Sequence, residues 1–170
     1  MRPILIAAAL VLATTAVPMT AALPAQAAET ISQKGAVSIP ALRKMVEGIG
    51  HQTRDIDGQD ASAGFEFTIG QDGLDIHILV EESESTNYIW FKVALGAPPE
   101  GVDPYDYLRQ TALVQPAHFY LYDDGQLGLA VPMDNRGVDV ASVERAIDIL
   151  LYGVTTTVDY WNGGAAPVEP

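Results

Sequence analysis

Alternating apolar and polar residues predict two β-hairpins in the middle of the chain. Residues 65–69 and 74–80 alternate on either side of Asp72-Gly73, a dipeptide typical of a hairpin turn. In residues 88–95, β-branched and aromatic residues dominate both faces, which favours a more central third strand. Residues 119–133 repeat the hairpin pattern around a second Asp-Gly turn. The sequence therefore predicts a three-strand meander followed by a hairpin.

Helical spacing of apolar residues predicts three helices around these strands. Their predicted caps are Ser38, Asp103 and Asp139. Their predicted extents are about 39–49, a short helix from Pro104 that ends before Pro116, and a long helix whose apolar stripe runs from Val140 to Val158. The polar segment 51–63 is interpreted as a loop or a ragged edge strand. The prediction is an α+β fold in the order α-β-β-β-α-β-β-α, with a five-stranded antiparallel sheet and three helices.

The amino-terminal residues have the pattern of a secretory signal peptide. Arg2 precedes an uncharged apolar run, and Ala25-Gln26-Ala27 fits the site of signal peptidase. The alternative is a retained membrane anchor, but the run is shorter than the ~20 residues that a spanning helix needs. We expect cleavage after residue 27, a leader over 28–37, one domain over 38–162 and a disordered tail over 163–170. A periplasmic or secreted protein follows, without a membrane anchor after cleavage.

Charge and cysteine content narrow the possible functions. The chain has nine basic and 22 acidic residues and a formal net charge of −13 at pH 7. Removing the signal peptide removes Arg2 and no acidic residue, so the mature charge is −14. This charge disfavours nucleic acid as a partner and favours a basic one. The chain has no cysteine, so a lipid anchor and thiolate chemistry are excluded.

The candidate metal and catalytic residues do not form a recognisable motif. Three carboxylates, Asp55, Asp57 and Asp60, lie on one loop and are weak candidates for a calcium site, because the residue that closes an EF-hand loop is missing. The histidines are far apart along the chain, and His77 alternates with apolar neighbours on a strand. No Gly-x-Ser-x-Gly motif marks a nucleophile. We expect no cofactor, no metal and no catalytic residue.

Aromatic residues are the stronger candidates for a binding site. Tyr88 and Trp90 share one phase of the third strand, and Tyr120 and Tyr122 share one phase of the fourth. If the helices cover one face of the sheet, these four rings lie on the other face. Such a face suits a peptide partner or a second copy, because a ring combines apolar area with a polar group. The alternative is a second packed layer or ordinary cross-strand pairing.

Several segments give the chain a resemblance to a known family. Residues 42–50, 89–93, 118–129 and Gly137-Val138 are similar to the opening helix, central strand, hairpin and final turn of the YbjN family, and the resemblance extends over 38–161. Members of this family are proposed bacterial sensory transduction regulators with a fold like that of type III secretion chaperones. The resemblance implies a domain that acts by binding, often as a dimer, with no catalytic residues.

The expected function is therefore that of an exported, non-enzymatic domain that engages a protein or peptide partner in a chaperone-like or regulatory role. The alternative is a small periplasmic hydrolase or metal-dependent enzyme that uses His77 or the loop at Asp55.

Overall fold

The computed structural model describes residues 36–83 and 86–163, which fold into one antiparallel sheet and four helices. In chain order the elements are α1 (Ile39–Gly48), β1 (Thr53–Arg54), β2 (Gly64–Gln71), β3 (Leu74–Glu82), β4 (Tyr88–Gly96), α2 (Pro104–Thr111), β5 (His118–Leu121), β6 (Leu127–Asp134), α3 (Val140–Thr156) and α4 (Val158–Trp161).

The strand order across the sheet is β1-β2-β3-β4-β6-β5, and every pairing is antiparallel. The predicted α+β class, the meander and the hairpin are confirmed. The return strand β6, rather than β5, pairs with β4 and places β5 at the edge. The described residues contain six strands and four helices, so the predicted numbers of five and three were wrong.

The sixth strand is β1, which lies in the polar segment 51–63. Its two residues pair with β2, where Thr53 lies opposite Phe67 and Arg54 opposite Glu66. The ion pair between Arg54 Nε and Glu66 Oε1, 2.5 Å long, holds this edge. Two residues are too few to produce an alternating pattern, and so the sequence left a loop and an edge strand as alternatives.

The fourth helix results from a break in the predicted long carboxy-terminal helix. The Thr157 hydroxyl donates a 2.6 Å hydrogen bond to the carbonyl of Gly153, and its φ of −107° leaves the helical region. A β-branched residue is a poor helix former, and its hydroxyl competes for backbone partners. Helix α3 therefore ends at Thr156, and the chain turns into α4.

Most of the predicted turns and caps are present, because they depend on local sequence. Asp72 and Gly73 both have positive φ, +52° and +77°, as a two-residue hairpin turn requires. Asp139 forms a capping box with Ser142, and the Asp103 carboxylate accepts the Tyr105 N–H. Ser38 occupies the predicted cap position of α1, but its hydroxyl makes no capping hydrogen bond.

The core lies between the helices and one face of the sheet. Phe65, Val80, Phe91 and Val131 form a row across four adjacent strands, and each is at most 2% exposed. Helix α3 packs on this face, because Gly153 lies against Leu129. No helix within 36–83 and 86–163 is long and apolar enough to cross a membrane.

The first described residues are joined to the end of β6. Ala36 forms an antiparallel bridge with Arg136, and the fully buried Asn135 side chain bonds both the N–H and the C=O of Val37. These contacts tie the end of the predicted leader to the sheet. The predicted signal peptide and the leader before residue 36 lie outside the described residues, as do residues 164–170 of the predicted tail.

Candidate functional site

The sheet face opposite the helices, here called the outward face, carries the four aromatic residues singled out in the sequence. The ring centroids of Tyr88 and Trp90 lie 6.4 Å apart, and those of Tyr120 and Tyr122 lie 4.8 Å apart. Tyr88 is 41% exposed and the other three side chains are half-buried. Among the described residues, no helix packs over this face, so the rings are not covered by a second layer.

An aromatic groove lies between the two ring pairs, with Ala130 as its floor. Its walls are Trp90, Lys92, His118 and Tyr120, and its volume is about 280 Å³. The Trp90 and His118 rings meet edge to face, with centroids 5.6 Å apart. Lys92, Ala130 and His118 lie in one row across β4, β6 and β5 because of the strand register. Sequence reasoning missed Lys92, His118 and Ala130, because the row depends on β6 pairing with β4.

An acidic cleft of about 760 Å³ lies on the other side of Trp90. The cleft is lined by the loop at residues 59–63, by Glu81, Glu82 and Ser83 of β3 and the turn after it, and by Trp90 and Lys92 of β4. Lys92 Nζ donates a 2.7 Å hydrogen bond to Glu81 Oε2, and each side chain is 23% exposed. The outward face therefore has an aromatic part and an acidic part that share Trp90 and Lys92.

Close packing of Tyr120 on the sheet depends on a glycine. A Cβ at Gly128 would lie 2.5 Å from the Tyr120 ring, so the ring rests directly on the backbone of β6. The Tyr120 hydroxyl is shielded from solvent and makes no hydrogen bond with another described residue. Burial, with smaller contributions from Tyr122 and Glu81, raises the pKa of Tyr120 well above its usual range. The hydroxyl therefore stays protonated at physiological pH.

Removing the Tyr120 hydroxyl tests this packing. We expect Tyr120→Phe to leave the free energy of unfolding unchanged or to raise it by up to about 1 kcal/mol, because a buried polar group without a partner is removed and the ring is kept. Urea unfolding followed by circular dichroism measures the change. A loss of more than about 1 kcal/mol would mean that the hydroxyl has a stabilising partner.

The loop carboxylates do not converge. Asp55 pairs with Arg43 at 2.6 Å, and Asp60 accepts the Ser62 N–H at 2.8 Å. Asp57 is exposed. Within residues 36–83 and 86–163, no group of His, Asp or Glu side chains is arranged to hold a metal ion. The structure gives no support to the calcium alternative in this part of the chain.

The histidines are also separated. His77 Nδ1 lies 2.9 Å from the Thr68 hydroxyl in a cross-strand pair on the outward face, with both side chains exposed. His51 stacks on Phe67 at a centroid distance of 5.2 Å, and His118 borders the aromatic groove. These positions provide ordinary side-chain packing, and none of them favours the hydrolase alternative.

A second exposed apolar surface lies at the β5 edge of the sheet. Leu108 of α2 is 62% exposed and Leu121 of β5 is 58% exposed, and both border a small apolar cavity with Tyr107 and Phe119. Edge strands with exposed apolar residues are suited to pairing with another chain. The homodimer implied by the family resemblance stays a prediction.

Comparison with known proteins identifies the fold. No protein-family model matches the chain, and no curated protein matches it significantly. YbjN from E. coli is similar in structure, with a TM-score of 0.56, 13% identity, and coverage of 75% of this chain and 93% of that one. A chain of the heterodimeric ExoU–SpcU complex from the type III secretion system of Pseudomonas aeruginosa has a TM-score of 0.53 and 20% identity, covering 71% of this chain and 98% of its own.

A third similar structure is a chain of the HopA1–SchA chaperone–effector complex, with a TM-score of 0.51, 11% identity, and coverage of 72% of this chain and 90% of that one. These identities are low, so the likeness concerns the fold. The described residues adopt an α+β fold that is shared with YbjN, with a chain of a type III secretion complex and with a chain of a chaperone–effector complex.

Proposed function

We propose that this chain is a YbjN-like, non-enzymatic binding domain that holds a segment of a protein partner against its outward face. The observation that carries the proposal is the set of four aromatic side chains on the outward face, which no described helix covers and which lie beside a groove of about 280 Å³. Half-exposed aromatic side chains on a rigid sheet are typical of protein-binding surfaces, since they offer apolar area at a low cost in conformational entropy.

The structural likeness supports the same proposal. Two of the similar folds come from complexes, one described as heterodimeric and one as a chaperone with its effector. Fold likeness alone does not transfer a function, so the proposal depends on the outward face of this chain. Export to the periplasm or beyond is part of the proposal, because residues 1–27 have the pattern of a signal peptide. Finding the chain in the cytoplasm with Met1 to Ala27 still attached would contradict that part.

Loss of the Trp90 ring should weaken partner binding. The mature domain is used to capture proteins from the native cell envelope, and captured proteins are identified and then titrated by calorimetry. We expect Trp90→Ala, alone or with Tyr120→Ala, to weaken binding at least tenfold, because rings at the centre of an interface contribute most of its affinity.

The matched control is Tyr105→Ala, which removes a ring that is 67% exposed on α2, away from the outward face. We expect this variant to bind the partner with an affinity within about twofold of that of the unmodified domain, because the ring lies outside the proposed interface. Identical partner profiles and affinities for the Trp90 and Tyr105 variants would exclude the outward face as the binding surface.

A further inference from the structure

The acidic cleft has charge available for a ligand. Glu81 uses one carboxylate oxygen for Lys92, and Asp60 supplies a second carboxylate. The Glu82 carboxylate lies on the helix side of the sheet, because Glu82 is opposite the buried Ile89 and contacts the buried Asn135 amide at 3.4 Å. Hydrogen bonds from the Ser62 backbone and side chain lower the pKa of Asp60, so its carboxylate remains ionised at neutral pH. Lys92, which borders the cleft, is already paired with Glu81. The cleft therefore has more negative than positive charge.

The wall formed by Trp90 selects the kind of cation that fits. A ring face beside carboxylates favours an ammonium or guanidinium group, which gains a cation–π contact and charge-assisted hydrogen bonds together. The carboxylates are spread along a cleft of about 760 Å³. The described residues present no cluster close enough to surround a metal ion. A lysine or arginine side chain suits these dimensions.

Trp90 also forms a wall of the aromatic groove, so the two sites are neighbours. Glu81 on β3 and Ala130 on β6 are separated by two strand spacings, roughly 10 Å. An extended chain advances about 3.3 Å per residue. A segment that crosses the strands would therefore fill both sites with side chains two or three positions apart.

Resting on the proposed function, we infer that the outward face recognises an extended basic segment, which places an aromatic or aliphatic side chain in the aromatic groove and a lysine or arginine in the acidic cleft. The overall charge of −13 favours the same partner, because it attracts basic segments at long range.

A peptide selection tests this specificity. A displayed library of random ten-residue peptides is selected on the mature domain and on a variant whose cleft carboxylates are neutralised by Asp60→Asn and Glu81→Gln. We expect the unmodified domain to enrich peptides with an apolar residue two or three positions from a lysine or arginine. The cleft variant should still enrich the apolar residue but lose the cation preference.

A control variant separates local recognition from general charge. Asp72→Asn and Glu144→Gln change the net charge equally at exposed positions outside the cleft. We expect an enriched peptide to lose about tenfold in affinity for the cleft variant and less than about twofold for the control. Equal losses of affinity in the cleft variant and the control would overturn the inference but keep the proposed function. The same conclusion would follow if peptides selected on the unmodified domain and on the cleft variant contained lysine and arginine equally often. If the unmodified domain enriched no peptides relative to a Trp90→Ala domain, the result would contradict both the inference and the proposed function.

Discussion

Phe91→Ala should lower the free energy of unfolding by about 4 kcal/mol. Phe91 is 0% exposed and lies between Val80 on β3 and Val131 on β6, at the centre of the core row. Truncation to alanine removes the transfer free energy of the ring and leaves a cavity that neighbouring strands cannot close. Urea unfolding of the mature domain, followed by circular dichroism, measures the loss.

Phe91→Leu provides the graded comparison. Leucine keeps most of the buried apolar volume, so we expect a loss of roughly 1.5 kcal/mol. Equal effects of the two substitutions would mean that ring volume is not the source of the stability. A loss below about 1 kcal/mol for Phe91→Ala would place the residue outside the core.

Gly64→Ala is expected to cost about 2 to 3 kcal/mol, although it adds a single methyl group. A Cβ at Gly64 would lie 2.5 Å from the backbone carbonyl oxygen of Val80 and 2.8 Å from the Ile56 side chain. The carbonyl belongs to the paired strand β3, so the clash cannot be relieved by a rotamer change. Relief requires β2 and β3 to shift, and the loop that forms the wall of the acidic cleft would move with them.

Gly70→Ala in the same strand is the matched control. Its nearest neighbour would be a side-chain oxygen of Asp75 at 3.8 Å, an ordinary contact distance. We expect no loss and a gain of up to about 0.5 kcal/mol, because alanine restricts the unfolded chain more than glycine does. Thermal unfolding of both variants in parallel measures the difference. Similar midpoints would show that the close approach at Gly64 is not rigid.

The sequence predicts those parts of the fold that depend on residues close together in the chain. The Asp72-Gly73 turn and the Asp139 cap depend on neighbouring residues, and both are present in the structure. The apolar alternation of β2 and β3 places their faces correctly, because one face is buried throughout. Local pattern contains less information about β1, whose two residues are fixed by pairing with β2.

The candidate site is only partly predictable, for a related reason. The phase of Tyr88, Trp90, Tyr120 and Tyr122 along their strands follows from the alternation, and the structure places all four on the outward face. The groove itself depends on β6 lying between β4 and β5, a long-range pairing that brings His118 to Trp90. The acidic cleft depends on the loop at 59–63, which has no periodic pattern.

The two tryptophans of the chain lie on opposite sides of the sheet, which gives the protein two separate optical reporters. Trp90 borders both sites of the outward face, whereas Trp161 packs against the core and donates its indole N–H to the carbonyl of Val154 at 2.9 Å. In a Trp161→Phe variant, tryptophan fluorescence, excited selectively over tyrosine, would come from Trp90 alone and respond to an arriving ligand. In a Trp90→Phe variant, the emission would instead follow the docking of α4 on the core.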